Sequence, residues 1–156
     1  MPEAIWRRRI ESEYQQLAAA KKYSFTTNQE HTNYLFTING PGLVEEGNSI
    51  RQTNEHRVRL VIKREYPYAG GFDLIWETPI FHPNIRPDGK VCIQLVNKWS
   101  ASQTILSIMD ALVQLLETPN PESPLNYDAA QYFIEHPDAL KRATPMEKPR
   151  KPRIVS

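Results

Sequence analysis

Between an alternating run that ends at Trp76 and an apolar helical stripe that begins near Gln103, the chain has a long stretch with no sustained period. Pro79, Pro83 and Pro87 forbid a regular helix or a central strand over its first part. Asp88-Gly89 is a tight-turn signal, and Val91 to Val96 reads as a short extended piece. An irregular segment of this length inside a compact domain is more often functional than structural. It holds the only cysteine of the chain, Cys92, ten residues after His82.

The flanks are regular. Trp6, Ile10, Tyr14 and Leu17 recur at helical spacing and predict an amphipathic helix over residues 3–20, with Arg8 on the far side of the apolar face and Arg9 on its flank. Tyr34, Phe36 and Ile38 alternate as a strand requires, and Gly40-Pro41-Gly42 predicts a turn after them. A weakly marked strand is expected over 48–53. Val58, Leu60 and Ile62 mark a clear half-buried one, and Phe72, Leu74 and Trp76 mark the fourth. Four strands with short connections suggest an antiparallel meander. A helix with a broad apolar stripe follows from about Gln103 to Glu117, with Ser100 and Gln103 as its expected capping box. Pro119 and Pro121 stop it. Another helix is expected over about Tyr127–Glu135, with one more short turn to Ala143. The element order gives an α+β domain over residues 1–143.

Residues 144–156 form a basic tail containing Pro145, Pro149 and Pro152, too poor in apolar residues to fold alone. The rest of the chain is mildly acidic, which gives no pointer to nucleic acid. One cysteine excludes an internal disulfide and fits a reducing cytoplasm. No apolar run approaches the roughly 18 residues of a membrane span, and no signal-peptide pattern opens the chain. The expectation is a soluble cytoplasmic protein without a membrane contact. The sequence has no Gly-rich phosphate loop and no metal-ligand cluster, so neither cofactor nor metal is expected.

An unpaired cysteine usually packs as a small hydrophobe, and Val91 and Ile93 beside Cys92 fit that reading. His82 would then satisfy a local carbonyl, and Pro83-Asn84 would be turn chemistry. The alternative is an accessible thiolate that attacks a carbonyl, with Asn84 donating to the developing oxyanion. Spacing alone does not separate transfer from hydrolysis.

The run Phe81-His82-Pro83-Asn84-Ile85, then Gly89-x-Val91-Cys92-Ile93, Trp99-Ser100, a long helix and Pro119 to Leu125 (PNPESPL) resemble the ubiquitin-conjugating enzymes. Ile38 to Pro41 (INGP) and Tyr66 to Tyr68 (YPY) fall where that family has its own signatures. The resemblance implies a UBC-like fold: an N-terminal helix, a four-stranded antiparallel meander, an irregular active-site segment, a central crossover helix and C-terminal helices. It implies that Cys92 accepts ubiquitin or a ubiquitin-like modifier as a thioester from an activating enzyme and passes it to a substrate lysine. By the same resemblance Asn84 stabilises the oxyanion or the loop around it, His82 is a structural hydrogen-bonding residue, and Ser123 lies beside the incoming lysine. Arg8, Arg9, Tyr68, Ser100 and Ala101 align with the surface that receives the activating enzyme and RING-type ligases.

Some positions depart from the family pattern. Gly70-Gly71 stand near where two prolines are common, Ser100-Ala101-Ser102 replaces Ser-Pro-Ala, and Gln94 replaces a frequent acid. Asp110 is charged where some members offer the modifier an apolar contact. These differences suggest a divergent member, archaeal or bacterial rather than of the common eukaryotic type. A non-catalytic binding module of the same fold and a Cys-His hydrolase are the competing readings.

Overall fold

The computed structural model describes residues 1–96, 101–141 and 146–147. Helix α1 (Glu3–Ala20) is followed by strands β1 (Ser24–Thr27), β2 (Asn33–Glu46), β3 (Ser49–Ile62) and β4 (Phe72–Trp76), then helices α2 (Ile105–Glu117) and α3 (Tyr127–Glu135) and a two-residue strand β5 (Met146–Glu147). The sheet runs β1-β2-β3-β4, every pair antiparallel, and β5 pairs with β3 at Ser49 and Ile50. The expected α+β meander is therefore present. The rest of the expected basic tail lies outside the described residues.

Alternation decides which face of the sheet is dry. Tyr34, Phe36 and Ile38 on β2, Val58, Leu60 and Ile62 on β3, and Leu74 and Trp76 on β4 all point inward and are buried. Against them lie Ile108, Met109, Leu112 and Leu116 of α2, with Trp6, Ile10 and Leu17 of α1 in the same cluster. Each such side chain contributes about 1.5–3 kcal/mol by leaving water. A second cluster joins Leu43 and Ile50, at the far end of the β2–β3 hairpin, to Phe81 and to Ala129, Tyr132 and Phe133 of α3. The irregular segment is thus pinned between the two clusters.

Two strand expectations need correction. The separate strands expected at 48–53 and after Arg57 are one strand, β3, and the missing fourth strand is β1. The turn expected at Gly40-Pro41-Gly42 is a bulge inside β2, where the register shifts between Asn39 and Gly42. Proline is tolerated there because a bulge releases it from the ladder. The buried His56 closes the bulge by donating from Nε2 to the Gly40 carbonyl at 2.8 Å. A Cβ on Gly42 would stand 2.8 Å from the His56 ring, so glycine is what lets the ring lie flat on the strand.

The cap of α2 also differs. Ser100 lies outside the described residues, and Gln103 precedes the helix. Thr104 is the cap. Its hydroxyl accepts from the Ser107 amide, and the Ser107 hydroxyl accepts from the Thr104 amide. The expected extended piece over 91–96 is a short bridge at Val91 followed by a tight 3-10 turn, Ile93–Leu95.

Candidate active site

After β4 the chain leaves the sheet and returns through a turn at Asp88-Gly89. Gly89 has φ +98°, and a Cβ there would lie 2.3 Å from the Trp76 carbonyl oxygen. Only glycine permits this approach, which lets the Trp76 amide donate to the Gly89 carbonyl at 2.7 Å. Lys90 then bridges to Ile75 and Val91 to Ile85, so the two residues before Cys92 are anchored by isolated sheet bridges. Val91 is buried and Lys90 exposed.

Cys92 carries a free, half-buried thiol. Its amide donates to the Asn84 carbonyl at 2.9 Å, and its carbonyl accepts from the Leu95 amide, which starts the 3-10 turn. The thiol therefore stands on a backbone fixed from both sides. Its side chain is half-buried and not enclosed in the core.

His82 and Asn84 are buried beneath it. His82 Nε2 donates to the Leu115 carbonyl near the end of α2 at 2.9 Å, while Nδ1 accepts from the Asn84 amide at 3.0 Å. Both ring nitrogens are committed in the neutral tautomer. Burial pushes its pKa down to about 4. A neutral ring with no free nitrogen is not placed to act as a base.

The Asn84 amide is equally occupied. Nδ2 donates to the carbonyls of Asn120 and Ser123 at 2.7 and 3.1 Å, and Oδ1 accepts from the Asn120 amide at 2.8 Å. Pro83 adds its carbonyl, which accepts from the amides of Leu125 and Asn126. Asn126 in turn caps α3 through Oδ1 to the Ala129 amide. The His82-Pro83-Asn84 triplet thus ties the cysteine segment to the loop over residues 119–126. Ser123 is on that loop, exposed, with Glu122 exposed beside it. Asn120 was not singled out in the sequence, although it lies in the PNPESPL run. Its role needs a partner 36 residues away.

Beside the 3-10 turn lies an open groove of about 310 Å³, lined by Leu95, Ala111, Gln114, Leu115, Thr118 and Asn120. It runs along the outer side of α2. Midway along that helix, Asp110 accepts from the Tyr23 hydroxyl and pairs with Lys22 at 2.8 Å. Among the described residues no group of three His, Cys, Asp or Glu is placed to hold a metal ion, and no helix is long and apolar enough to cross a membrane.

The residues expected on a partner surface separate. Arg8, Tyr68 and Ala101 are exposed, and Ser100 lies outside the described residues. Arg9 is turned inward: Nε donates to Glu13 at 2.7 Å, another guanidinium nitrogen donates to the Gln103 carbonyl, and the group lies 5.6 Å from the Tyr66 ring centre. Exposed Ile5 joins Arg8 on α1 and was missed. The available signal was an apolar residue off the Trp6–Leu17 stripe.

A sequence model of the ubiquitin-conjugating enzyme family matches residues 9–146. The 34 kDa ubiquitin-conjugating enzyme of Saccharomyces cerevisiae is 29% identical over 153 residues, covering 88% of this chain and 52% of that protein. A probable ubiquitin-conjugating enzyme of Acanthamoeba polyphaga mimivirus is 31% identical over 132 residues, 81% of either chain. Ubiquitin-conjugating enzyme E2 S of Nematostella vectensis is 33% identical over 124 residues, 76% of this chain and 56% of that one. The chain thus spans about half the length of the yeast and Nematostella relatives and four-fifths of the viral one.

Proposed function

The chain belongs to the ubiquitin-conjugating enzyme family, and we propose that it carries ubiquitin or a ubiquitin-like modifier as a thioester on Cys92 and passes it to a lysine amine. The observation that carries the proposal is the backbone-fixed, half-buried Cys92 joined through Asn84 to the Asn120–Ser123 loop.

In the loading step the Cys92 thiolate attacks the carbonyl carbon of the thioester held by an activating enzyme. A new C–S bond forms, and the activating enzyme's sulfur leaves as a thiolate. In the transfer step a substrate amine, having lost its proton, attacks the Cys92 thioester. The C–N bond forms and the cysteine leaves as a thiolate. The groove beside Leu95 suits an extended peptide, because it is open along its length and ends at Asn120. It would hold the modifier's C-terminal strand with its carbonyl at Cys92.

Asn84 supports both steps by holding the acceptor-side loop, since its two N–H bonds are already committed. His82 acts one layer deeper, orienting Asn84. Ser123 would line the amine's approach without serving as a base. Ile5, Arg8, Tyr68 and Ala101 form the exposed surface offered to the activating enzyme and RING-type ligases, and Arg9 acts there only through the backbone it braces. The single cysteine fits a cytoplasmic setting. The relatives named above, from a yeast, Nematostella and a virus, lend nothing to an archaeal or bacterial origin.

The test is a charging assay with an activating enzyme, ATP and candidate modifiers. A reductant-sensitive adduct that Cys92→Ala abolishes is the expected result. No adduct, with the activating enzyme itself charged, would favour the non-catalytic binding module. Turnover of a fluorogenic ester or peptide by the protein alone would favour the hydrolase.

A further inference from the structure

Resting on that reading, we infer that the outward face of α3 is where the acceptor protein docks, and that it selects lysines lying near a basic, partly apolar stretch of the acceptor. Burial follows the helical period: Ala129, Ala130, Tyr132 and Phe133 are buried, while Tyr127, Asp128, Gln131, Ile134 and Glu135 are exposed. Two of the exposed side chains are large and apolar. Tyr127 is 76% exposed and Ile134 59%, on one ridge about 10 Å long. The other large apolar side chains exposed among the described residues are Met1 and Ile5 at the start of the chain and Tyr68 after β3. Ile5 and Tyr68 belong to the surface offered to the activating enzyme and ligases, which leaves α3 with a second apolar surface. Two such side chains on one ridge are not the single scattered exposure of an ordinary surface.

This face is fixed relative to the thiol. Its buried side packs on the thiol segment: Tyr132 meets the Phe81 ring and Phe133 the His82 ring, with centres 5.8 and 6.3 Å apart. At the start of α3 the Leu125 and Asn126 amides donate to the Pro83 carbonyl, and the next residue, Asn84, holds the Cys92 amide. These links, at about 3.8 Å per residue and about 5 Å across each hydrogen-bonded pair, keep the Cα atoms of Tyr127 and Cys92 within about 20 Å. An extended acceptor covers about 3.3 Å per residue, so with its lysine at the thioester, residues up to about six positions away come within reach of Tyr127. The loop that joins α2 to α3 carries Ser123, so the face continues the path assigned to the amine.

Charge chooses the occupant. No lysine or arginine lies between Lys98 and Lys141, while Glu117, Glu122, Asp128, Glu135 and Asp138 are all exposed on or beside the loop and α3. Neither Glu117 nor Glu122 is in an ion pair among the described residues. A Lys or Arg laid on this face meets the Tyr127 ring and carboxylates together, with its methylene stem along Ile134. An acidic segment meets like charge throughout. The rival occupant is the chain's own set of basic residues beyond Glu147. Those residues follow β5, which is paired to β3 and not to α3, and this favours the acceptor.

The test offers the pre-charged full chain two peptides, each with one lysine, that carry either Arg and Leu or Glu and Leu about four to six residues from it. Transfer is followed against peptide concentration. Expected is transfer at least about tenfold faster to the basic peptide, a preference that shrinks as salt rises. Tyr127→Ala and Ile134→Ala should each raise the half-saturating concentration of the basic peptide by about threefold or more, with less than about a twofold change in maximal rate. Glu135→Lys should cut the preference by about threefold or more. Equal rates for the two peptides, or a preference that none of these variants alters, overturns the inference and leaves the thioester reading standing. So does a preference that appears only after Lys148, Arg150, Lys151 and Arg153 are replaced by glutamine, because the chain's own tail would then hold the face. Failure to form any thioester overturns the reading and the inference together.

Discussion

The two ends of α2 are tied down by different kinds of polar group. At its start the Glu13 carboxylate accepts from the Tyr66 hydroxyl at 2.6 Å, the Ile105 amide at 2.8 Å and Arg9 Nε at 2.7 Å. Negative charge at a helix N-terminus is favourable, and burial beside Glu13 pushes the Tyr66 hydroxyl far above its ordinary pKa. At its end a neutral His82 donates to the Leu115 carbonyl, and Asn84 continues the network toward Cys92. The charged node lies at the end of α2 away from Cys92, and the node on the thiol's side carries no fixed charge. Fixed charge can therefore serve stability at one end without setting the field at the other.

Substitutions at the two nodes should separate accordingly. Asn84→Ala strands the Asn120 amide and two carbonyls in a buried place, so it should lower the unfolding free energy by about 2–3 kcal/mol. It should also slow transfer to free lysine by about 100-fold, because the acceptor-side loop loses its tether. Rates are to be read from a pre-charged enzyme well below its melting temperature. Equal losses in loading and transfer, tracking the folded fraction, would reduce Asn84 to a fold residue. Glu13→Ala should lower stability by about 3 kcal/mol, since it leaves Arg9 without its partner, yet change transfer by less than twofold. A large transfer defect in this variant would break the division between the ends.

The neutral end should respond to acid. His82 has its folded pKa lowered to about 4 from 6.5, and burial lowers that of His56 as well. The unfolded chain therefore binds protons first as pH falls. The stability that depends on a neutral His82 is fully present above about pH 6.5 and is lost progressively toward pH 4, by about 3 kcal/mol. Urea midpoints between pH 7 and pH 4 measure this. His82→Gln, which cannot titrate, should show a shallower decline over the same window, with His56 supplying much of what remains. Parallel curves would mean that His82 is protonated in the fold.

The same contrast explains what could be read from the chain. The stripe of α2 and the bounds of α1 are local patterns, and both match the structure. Glu13 was invisible, because a glutamate on a helix flank reads as solvated until Tyr66 and Ile105 arrive from 53 and 92 residues away. Arg9, on the flank of the same helix and aligned with the partner surface, gave no sign of its bonds to Glu13 and the Gln103 carbonyl for the same reason. Gly40-Pro41-Gly42 suits a turn or a bulge equally, and the choice was made by His56 across the sheet. Ser24–Thr27 is too short to show a period and becomes β1 only by pairing with β2. Asn84 could be placed near the thiol, but not that both its N–H bonds were already taken.

The smallest expected effect probes whether α2 passes force between its ends. Thr104 caps the helix next to the Glu13 node, and Thr104→Ala removes the hydroxyl that satisfies the Ser107 amide. The loss should be about 1 kcal/mol of stability, while Thr104→Ser, which keeps the hydroxyl, should stay within a few tenths. Fraying confined to the first turn leaves Leu115, two turns beyond Ile108, under its own lock from His82. Transfer by pre-charged Thr104→Ala should then match the parent within error. A slowed transfer at full folding would mean that the helix moves as a rod. His82 would then be registering the position of the whole of α2, and the two nodes would be one device.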